Sequence, residues 1–419
     1  MRVTVALHHL ELGGSQLNAL DLATRIRDRG HDVQVFATYR GMPGPVADLV
    51  RDRGLGLTLV EHPLERIRRA APCRPEVAGA LIRHARSSRT DVLHAYEYSQ
   101  ILDALHGPGL TLGTRVVGTI YGMDVPTWLP RSMPLIAGTR QLVDAARVIG
   151  QDASLIVPPV DTASDDPSAV GGGAFRRSLG IEDHEIAVVV VSRLEPDMKE
   201  DGIARAMTAV RELDDPRVRL VVVGDGPSFA SLDAIAASAN GALGRTAVIM
   251  AGSLLDPRPA YAAADIALGM GGSALRAMAF GAPLIVLGIR GFARPFDEGT
   301  ADHFNTVGFY GIGSGEPDPL ASHVAALLDG ANRRRLGPWS RRMVVDHYSL
   351  DAATDTLERI YRTTLDGRTG RRPLAALQTS AHRAVADLAG GAVRARLSPF
   401  VRGVLGRRAH GAPAQLRSA

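Results

Sequence analysis

Two cations follow a strongly apolar segment near the middle of the chain. Arg193 and Lys199 stand six positions apart, directly after Ile186–Val191, where a buried strand is expected to end. Arg offers a planar fork and Lys a compact point charge, so the two together could neutralise a diphosphate as its charge develops. A solvated surface pair is the alternative. The pattern therefore favours a diphosphate site at a strand-to-helix turn and leaves the alternative open.

Glycine-rich turns are a second group of candidate anion sites. The stretch Gly269–Ser273 joins a short predicted strand to a helix beginning near Ala274, so backbone N–H groups and the helix dipole converge there. Gly13 and Gly14 form a similar turn after the first predicted strand. A tight turn without a ligand is the commoner reason for such glycines, but their occurrence together with the two cations favours anion binding. The sequence has no G-x-G-x-x-G pattern and no Walker motif, which argues against a dinucleotide dehydrogenase and a P-loop NTPase.

Two successive βαβ arrays are predicted to carry these candidate residues. Short β-branched runs recur with helix-length segments between them, which predicts two doubly wound α/β domains in tandem. Such sheets bind ligands outside the carboxyl ends of their strands, so we expect the active site in a cleft where the two domains face each other. The predicted strands are Arg2–Leu7, Asp32–Ala37, Leu57–Val60, Asp91–His94, Arg115–Ile120, Ile186–Val191, Val218–Val223, Ala247–Met250, Ile266–Leu268 and Pro283–Leu287.

A stretch of small and acidic residues ends in three consecutive glycines, 171–173, and has no apolar period. It is expected to bury nothing and to link the domains. The predicted division is an acceptor-side domain 1–165, a linker 166–173, a donor-binding domain 174–343, a crossover helix 344–365 that packs on the first domain, and a tail 366–419.

Composition is that of an ordinary globular protein. The 419 residues carry 48 Lys and Arg against 44 Asp and Glu, so the net charge of +4 gives no reason to expect nucleic acid as a partner. The single cysteine, Cys73, excludes an internal disulfide and suits a reducing cytoplasm. No apolar run approaches the roughly 20 residues of a membrane span, and no signal peptide is recognised, so we expect a soluble cytoplasmic protein.

Several segments, in order along the chain, resemble the GT-B glycosyltransferases of family 4. The resemblance is carried by LGGSQLNALDLATRIRDRGHDVQVF, LIVPPVDT, SRLEPDMKEDGI, LVVVGDGP, PAYAAADIALGMGGSALRAMAFGAPLIV and VVDHYSLDAATDTLERIYRTTL. It implies two Rossmann-like domains, a closing helix that crosses back to the first, and retaining transfer of a sugar from a nucleotide-sugar donor to a hydroxyl acceptor, such as a glycan, a lipid-linked molecule or a natural product.

The resemblance also implies roles for individual residues. Arg193 and Lys199 would hold the donor diphosphate, Gly14 would let its backbone approach the same phosphates, and the backbone near Met250 would receive the nucleobase. The other implied donor-side residues are Gly13, Gly224, Gly252, Gly269, Gly271, Gly272 and Ser273.

The chain departs from the family pattern at several positions. The family's Glu-x7-Glu motif aligns on Leu268 and Arg276. Arg276 has five donors and no acceptor, so it would reach a phosphate rather than accept hydrogen bonds from ribose hydroxyls. Tyr96 and Tyr121 stand where the family often has His. These departures leave two alternatives open, namely a transferase for a non-nucleotide donor such as phosphoribosyl diphosphate and an inactive GT-B binding or partner protein.

A front-face reaction fits the remaining residues. Arg193, Lys199 and the glycine loop would stabilise the departing diphosphate while its oxygen accepts the acceptor's proton, so no metal or other cofactor is expected. Glu97 and Asp124 are the nearest acids for orienting the acceptor hydroxyl, with a solvated or helix-capping acid as the alternative, and Tyr121 is a further candidate catalytic residue.

Basic segments suggest where an acceptor or a membrane could bind. Arg68 and Arg69 belong to a run of cations, continued by Arg74, on the side expected to meet an anionic or lipid-linked acceptor, with a solvated helix face as the alternative. From Asp366 onward there are ten Arg against two acids, and apolar residues recur at helical spacing. This tail is predicted to be either two basic amphipathic helices, which would place the protein peripherally at the inner membrane face, or a poorly ordered extension.

Overall fold

The computed structural model describes residues 1–62, 72–122, 124–127, 129–131 and 133–367. They form two compact α/β units, which confirms the predicted fold class. The first unit comprises 1–138, 142–155 and the chain from Glu358 onward, and the second comprises 139–141 and 156–357. Arg68, Arg69 and the tail beyond Gly367 lie outside the described residues, and the finer domain boundaries given above stay predictions.

The first unit is built on a seven-stranded parallel sheet. Its strands are apolar on both faces because helices cover both. The strand order is β3-β2-β1-β4-β5-β6-β7, so the chain proceeds outward in one direction from β1 and in the other from β4. This reversal is the topological switch point of the unit. The strands are β1 Arg2–Leu7, β2 Asp32–Tyr39, β3 Gly56–Glu61, β4 Val92–Tyr96, β5 Arg115–Ile120, β6 Leu135–Ala137 and β7 Ala153–Leu155.

Helices connect these strands and bury one face each. In the first helix, Ala19, Leu22, Ala23 and Ile26 recur at helical spacing and are all buried, as the sequence pattern predicts. The helices are α1 Gly14–Asp28, α2 Val46–Asp52, α3 Pro75–Ser87, α4 Glu97–Ala104, which continues into a π-helical turn Leu105–Gly109, and α5 Arg140–Val148.

The second unit is built on a six-stranded sheet. Its order is β10-β9-β8-β11-β12-β13, with only β13 antiparallel, so its switch point lies between β8 and β11. The strands are β8 Ile186–Val191, β9 Val218–Val223, β10 Val248–Gly252, β11 Ile266–Gly269, β12 Leu284–Leu287 and β13 Ala293–Pro295. Alternate residues of β8 enter different clusters, with Val188 and Val190 on one face and Ala187 and Val189 on the other, which is why the segment is apolar throughout.

Nine helices of the second unit are described. They are α6 Gly173–Ser178, α7 Glu200–Leu213, α8 Phe229–Leu243, α9 Arg258–Ala262, α10 Gly272–Ala279, α11 Ala301–Val307, α12 Leu320–Leu328, α13 Gly330–Tyr348 and the start of α14 Leu350–Asp366. Residues of α14 from Glu358 onward belong to the first unit. Of the helices in the described part of the chain, none is long and apolar enough to cross a membrane.

The glycine-rich segment before α6 is more buried than its composition suggests. Asp165 is buried, and a Cβ on Gly172 would overlap the backbone of Ala263. The expectation that this stretch buries nothing is therefore wrong. This stretch packs within the second unit because its small residues allow close backbone contact. Its acids also form ion pairs, as Asp166 does with Arg341.

Candidate functional site

Arg193 lies just beyond the carboxyl end of β8. Its Nε atom is 2.6 Å from the Oε1 atom of Glu195, and 64% of its side chain is exposed. An exposed pair of this kind contributes about 1 kcal/mol or less, because water screens both charges. In this structure Arg193 therefore forms the solvated surface pair that the sequence analysis gave as the alternative. The guanidinium can exchange Glu195 for an incoming anion at small cost, and its diphosphate role stays a prediction.

Lys199 immediately precedes α7 and is the only lysine in the sequence. Burial lowers the pKa of its amine from 10.5 to about 8. Its ammonium has no hydrogen bond or ion pair with any residue that the structure describes. The acids that follow it are engaged elsewhere, since Glu200 accepts a 2.7 Å hydrogen bond from the Ser228 hydroxyl and Asp201 accepts one of 3.2 Å from the N–H of Gly291. A desolvated cation without a partner is costly, so this site favours an anion.

Gly224 holds the Arg193 loop against the next strand. Its φ is +145°, and a Cβ at this position would overlap the carbonyl oxygen of Ser192. The two segments bond directly, with the Ser192 N–H donating to Val223 O over 2.9 Å and the Leu194 N–H donating to Asp225 O over 2.9 Å. Gly224 thus positions the cationic loop, and its predicted contact with the donor stays a prediction.

The Gly269–Ser273 loop leaves β11 and enters α10. Gly271 has φ +57°, which favours glycine, and its N–H donates a 2.7 Å hydrogen bond to Phe309 O. The Ser273 hydroxyl donates to Met270 O over 3.0 Å. A Cβ on Gly271 or Gly272 would meet open space, so a ligand could approach the backbone here. The first N–H groups of α10 lack intrahelical acceptors and are available to an anion.

The two loops come from adjacent strands at the switch point. β8 and β11 are paired in parallel, with Leu268 opposite Val190, so the Arg193 loop and the Gly269–Ser273 loop leave the sheet side by side. This is where an open α/β sheet binds its ligand. The structure therefore brings the cations and the glycine loop of the sequence prediction to one edge of one unit.

Arg276 carries an acidic partner that the sequence did not reveal. Its Nε atom is 3.7 Å from Oδ2 of Asp165, and the two side chains are 37% and 8% exposed. Leu268, the other position where the family carries Glu, is buried in the core. Asp165 thus places a carboxylate next to α10, although Leu268 and Arg276, which stand at the two Glu positions of the family, carry none. The segment's small, unpatterned composition gave no signal for it.

Met250 and Gly252 lie on the edge strand β10. Gly252 has φ +70°, and its carbonyl accepts a 2.8 Å hydrogen bond from the N–H of Gly224. β9 and β8 separate this strand from β11. The predicted nucleobase position is thus at the carboxyl end of the same sheet and two strands away from the cations.

In the first unit, Glu97 lies at the corresponding switch point. It is the first residue of α4, directly after β4, and has φ +64°. Its Oε1 atom accepts hydrogen bonds from the N–H of Tyr121 over 3.2 Å and from the hydroxyl of Ser15 over 3.4 Å. Burial raises the pKa of the Glu97 carboxyl, and these two hydrogen bonds only partly oppose that effect. Ser15 belongs to the glycine turn that the sequence indicates, but its hydrogen bond with Glu97 is not expected from the sequence.

The two tyrosines expected in place of the family's histidines are both largely enclosed. Tyr96 is 1% exposed, and its ring packs 4.5 Å from that of His94, centroid to centroid. The Tyr121 hydroxyl is buried with no hydrogen-bond partner among the described residues. Burial raises the pKa of both phenols, so neither is a base near neutral pH.

The other residues predicted for the first unit are spread out. Gly14 begins α1 with open space beside it, and Gly13 precedes it. Asp124 is exposed. Arg74, expected among the cations facing an acceptor, is buried and forms a 2.5 Å ion pair with Asp103, so that expectation is wrong. The run of cations in the sequence predicts a surface position for Arg74, but its buried partner, Asp103, is 29 residues away and gives no local signal.

Comparisons with known proteins agree with this geometry. Residues 185–330 match the family model described as glycosyl transferases group 1, and residues 12–151 match that of glycosyltransferase family 4. Together the two matched ranges cover more than half of the chain. A search of curated proteins finds no match.

Solved structures share the whole fold at low identity. HepE from Anabaena, in complex with UDP, is 16% identical with a TM-score of 0.64, covering 87% of this chain and 100% of its own. A glycosyltransferase from Rickettsia africae is 12% identical with a TM-score of 0.68, covering 88% and 99%. The catalytic domain of starch synthase IV from Arabidopsis thaliana, bound to ADP and acarbose, is 13% identical with a TM-score of 0.59, covering 88% and 100%. With both sheets, the switch-point loops and the two family matches in agreement, the chain belongs to the group 1 glycosyltransferases of family 4 and has the GT-B fold.

Proposed function

We propose that this glycosyltransferase takes its sugar from a nucleotide-sugar donor and transfers it to a hydroxyl group with retention of the anomeric configuration. The observation that carries the donor proposal is the environment of Lys199. Its ammonium is desolvated and has no ion-pair partner among the described residues, and Lys199 lies in the segment that follows β8, the strand paired with β11 at the switch point. HepE, whose structures contain UDP and UDP-glucose, supports a nucleotide diphosphate as the anion.

The proposed chemistry needs only charges that the chain supplies. As the bond to the sugar breaks, negative charge develops on the leaving diphosphate. Lys199, Arg193 and the N–H groups at the start of α10 would stabilise that charge, and a phosphate oxygen would take the proton of the attacking hydroxyl. The proposed reaction therefore uses no metal ion and no covalent intermediate with the enzyme.

The test is donor consumption by the full chain with a panel of UDP-, ADP- and GDP-sugars and with phosphoribosyl diphosphate. One nucleotide sugar should be consumed, and proton NMR of the product should show the anomeric configuration of the donor. Lys199→Met should lower turnover by about 100-fold or more, because it removes a charge aimed at the leaving group. Inversion of configuration, or use of phosphoribosyl diphosphate alone, would overturn the proposal.

Arg217→Ala provides a matched control for Arg193→Ala. Arg217 is also exposed and pairs with an acid two residues away, Asp215. It directly precedes β9, so it lies at the amino ends of the strands, whereas Arg193 lies at their carboxyl ends. Arg193→Ala should reduce kcat, while Arg217→Ala should leave it unchanged. Equal effects of the two variants would show that the position of Arg193 is irrelevant to the reaction.

A further inference from the structure

Glu97 has a strained backbone conformation. A φ of +64° is uncommon for a side chain other than glycine, and it occurs where β4 turns sharply into α4. Strain of this kind persists only when the surrounding structure enforces it, and it clusters at ligand-binding positions. A strained strand-to-helix turn is also the way in which other α/β enzymes present a reactive side chain above the sheet edge.

The two carboxylate oxygens of Glu97 have different environments. Oε1 accepts both hydrogen bonds from the protein, those of the Tyr121 N–H and the Ser15 hydroxyl. Oε2 accepts none from the residues that the structure describes and lies 3.7 Å from the point where a Cβ on Gly122 would stand. The absence of a side chain at Gly122 leaves room beside this oxygen. Oε1 therefore fixes the carboxylate, and no donor among the described residues reaches Oε2.

The location makes a ligand the natural donor. The loops after β1, β4 and β5 meet at the carboxyl edge of the first sheet, and β1 and β4 flank the switch point. Ser15 comes from the start of α1, Glu97 from the start of α4 and Tyr121 from the end of β5, so three segments converge on one carboxylate. Burial raises the pKa of this carboxyl, and the two hydrogen bonds from the protein only partly oppose that effect.

We infer that Glu97 Oε2 accepts a hydrogen bond from a hydroxyl group of the acceptor, and that the first unit therefore selects a polyhydroxylated, sugar-like acceptor. This inference rests on the proposed function, since it assigns the acceptor side of the same reaction. A neutral hydroxyl suits the site because it donates to a carboxylate, whereas an anionic group would be repelled. Glu97 is thus an acceptor-binding residue that acts independently of the diphosphate site.

Glu97→Gln is the direct test. An amide at this position can still accept both protein hydrogen bonds through its oxygen, but it places an NH2 group where Oε2 stands. With p-nitrophenyl monosaccharides as artificial acceptors, transfer should fall about 100-fold, while UDP binding and the melting temperature should stay as in wild type. Full transfer activity in Glu97→Gln would overturn the inference. A wild type that transfers sugar from no donor would instead refute the proposed function.

A second pair of variants separates ligand binding from a structural role. Glu97→Gly relieves the strain but also removes the acceptor of the Tyr121 N–H and the Ser15 hydroxyl. These two effects on stability oppose each other, so the variant should abolish transfer with a melting temperature close to that of wild type. The matched control is Arg89→Gly, because Arg89 also has a left-handed φ, +50°, in the turn before β4. It should raise the melting temperature and keep full transfer. A marked loss of stability in Glu97→Gly would show that the carboxylate serves the fold and would overturn the inference.

Discussion

Lys199 shows how far residue types and spacing determine a site, and where they stop. Its place six residues after Arg193, beyond an apolar strand, suits a diphosphate site but leaves a solvated surface pair as the alternative. Its burial and lowered pKa depend on how the start of α7 packs, which no local pattern encodes. The same limit applies to Arg276, whose partner Asp165 lies in a segment without any apolar period.

The lowered pKa predicts how stability depends on pH. The pKa of Lys199 is about 8 in the folded chain and 10.5 in the unfolded chain. Between these two pH values the unfolded chain binds more protons, so the wild type becomes more stable as the pH rises through that range. The difference between the two pKa values means that the buried charge destabilises the folded chain by about 3 kcal/mol at pH values below about 8. Lys199→Met has no such group, so at neutral pH it should melt at a higher temperature than wild type.

Calorimetry across this pH range checks the prediction. The advantage of Lys199→Met over wild type should shrink as the pH rises from about 8 to about 10. Arg193→Met, at an exposed site, should follow the wild-type curve. A Lys199→Met protein that melts below wild type at neutral pH would show that the amine is not strongly desolvated.

At the scale of elements, strand positions were the most predictable feature. All ten strands expected from β-branched runs are present, with ends that differ by two residues or fewer, because buried parallel strands need continuous apolar sequence. β6, β7 and β13 were not predicted, since each has only three residues and β13 contains a proline. The conformation of the loops at the switch points depends on contacts between segments that are far apart in the sequence. The sequence predicts a turn there only where the loop contains glycines.

Gly224→Ala tests the loop contact that positions Arg193. The new methyl group would overlap the Ser192 carbonyl, and the backbone would also keep an unfavourable φ. We expect a loss of about 3 kcal/mol or more in the free energy of unfolding, together with reduced turnover. Urea unfolding followed by circular dichroism measures the first quantity.

Gly244→Ala is the control for backbone strain. Gly244 ends α8 with φ +63° and open space around it, so an added methyl group meets strain without overlap. Its cost should be about 1 kcal/mol, with turnover unchanged. Equal losses in the two variants would show that contact between Gly224 and Ser192 is unimportant.

At the scale of the whole molecule, the sequence predicts two α/β units but not the long-range contacts within each. His94 Nδ1 is 2.7 Å from the hydroxyl of Tyr361, and its Nε2 is 2.7 Å from Oγ1 of Thr119. His94 and Tyr361 are 267 residues apart. Burial lowers the pKa of His94 to about 3, and its hydrogen bond with Tyr361 joins α14 to the first sheet.

The proposed donor site depends on Lys199 binding the diphosphate. Because Lys199 is the only lysine, reductive methylation with isotope-labelled formaldehyde gives one side-chain signal whose pH titration reports its pKa directly. We expect a pKa of about 8 in the free protein, rising towards 10.5 when pyrophosphate or a nucleoside diphosphate is added. A pKa of 10.5 that responds to none of these anions would contradict this expectation.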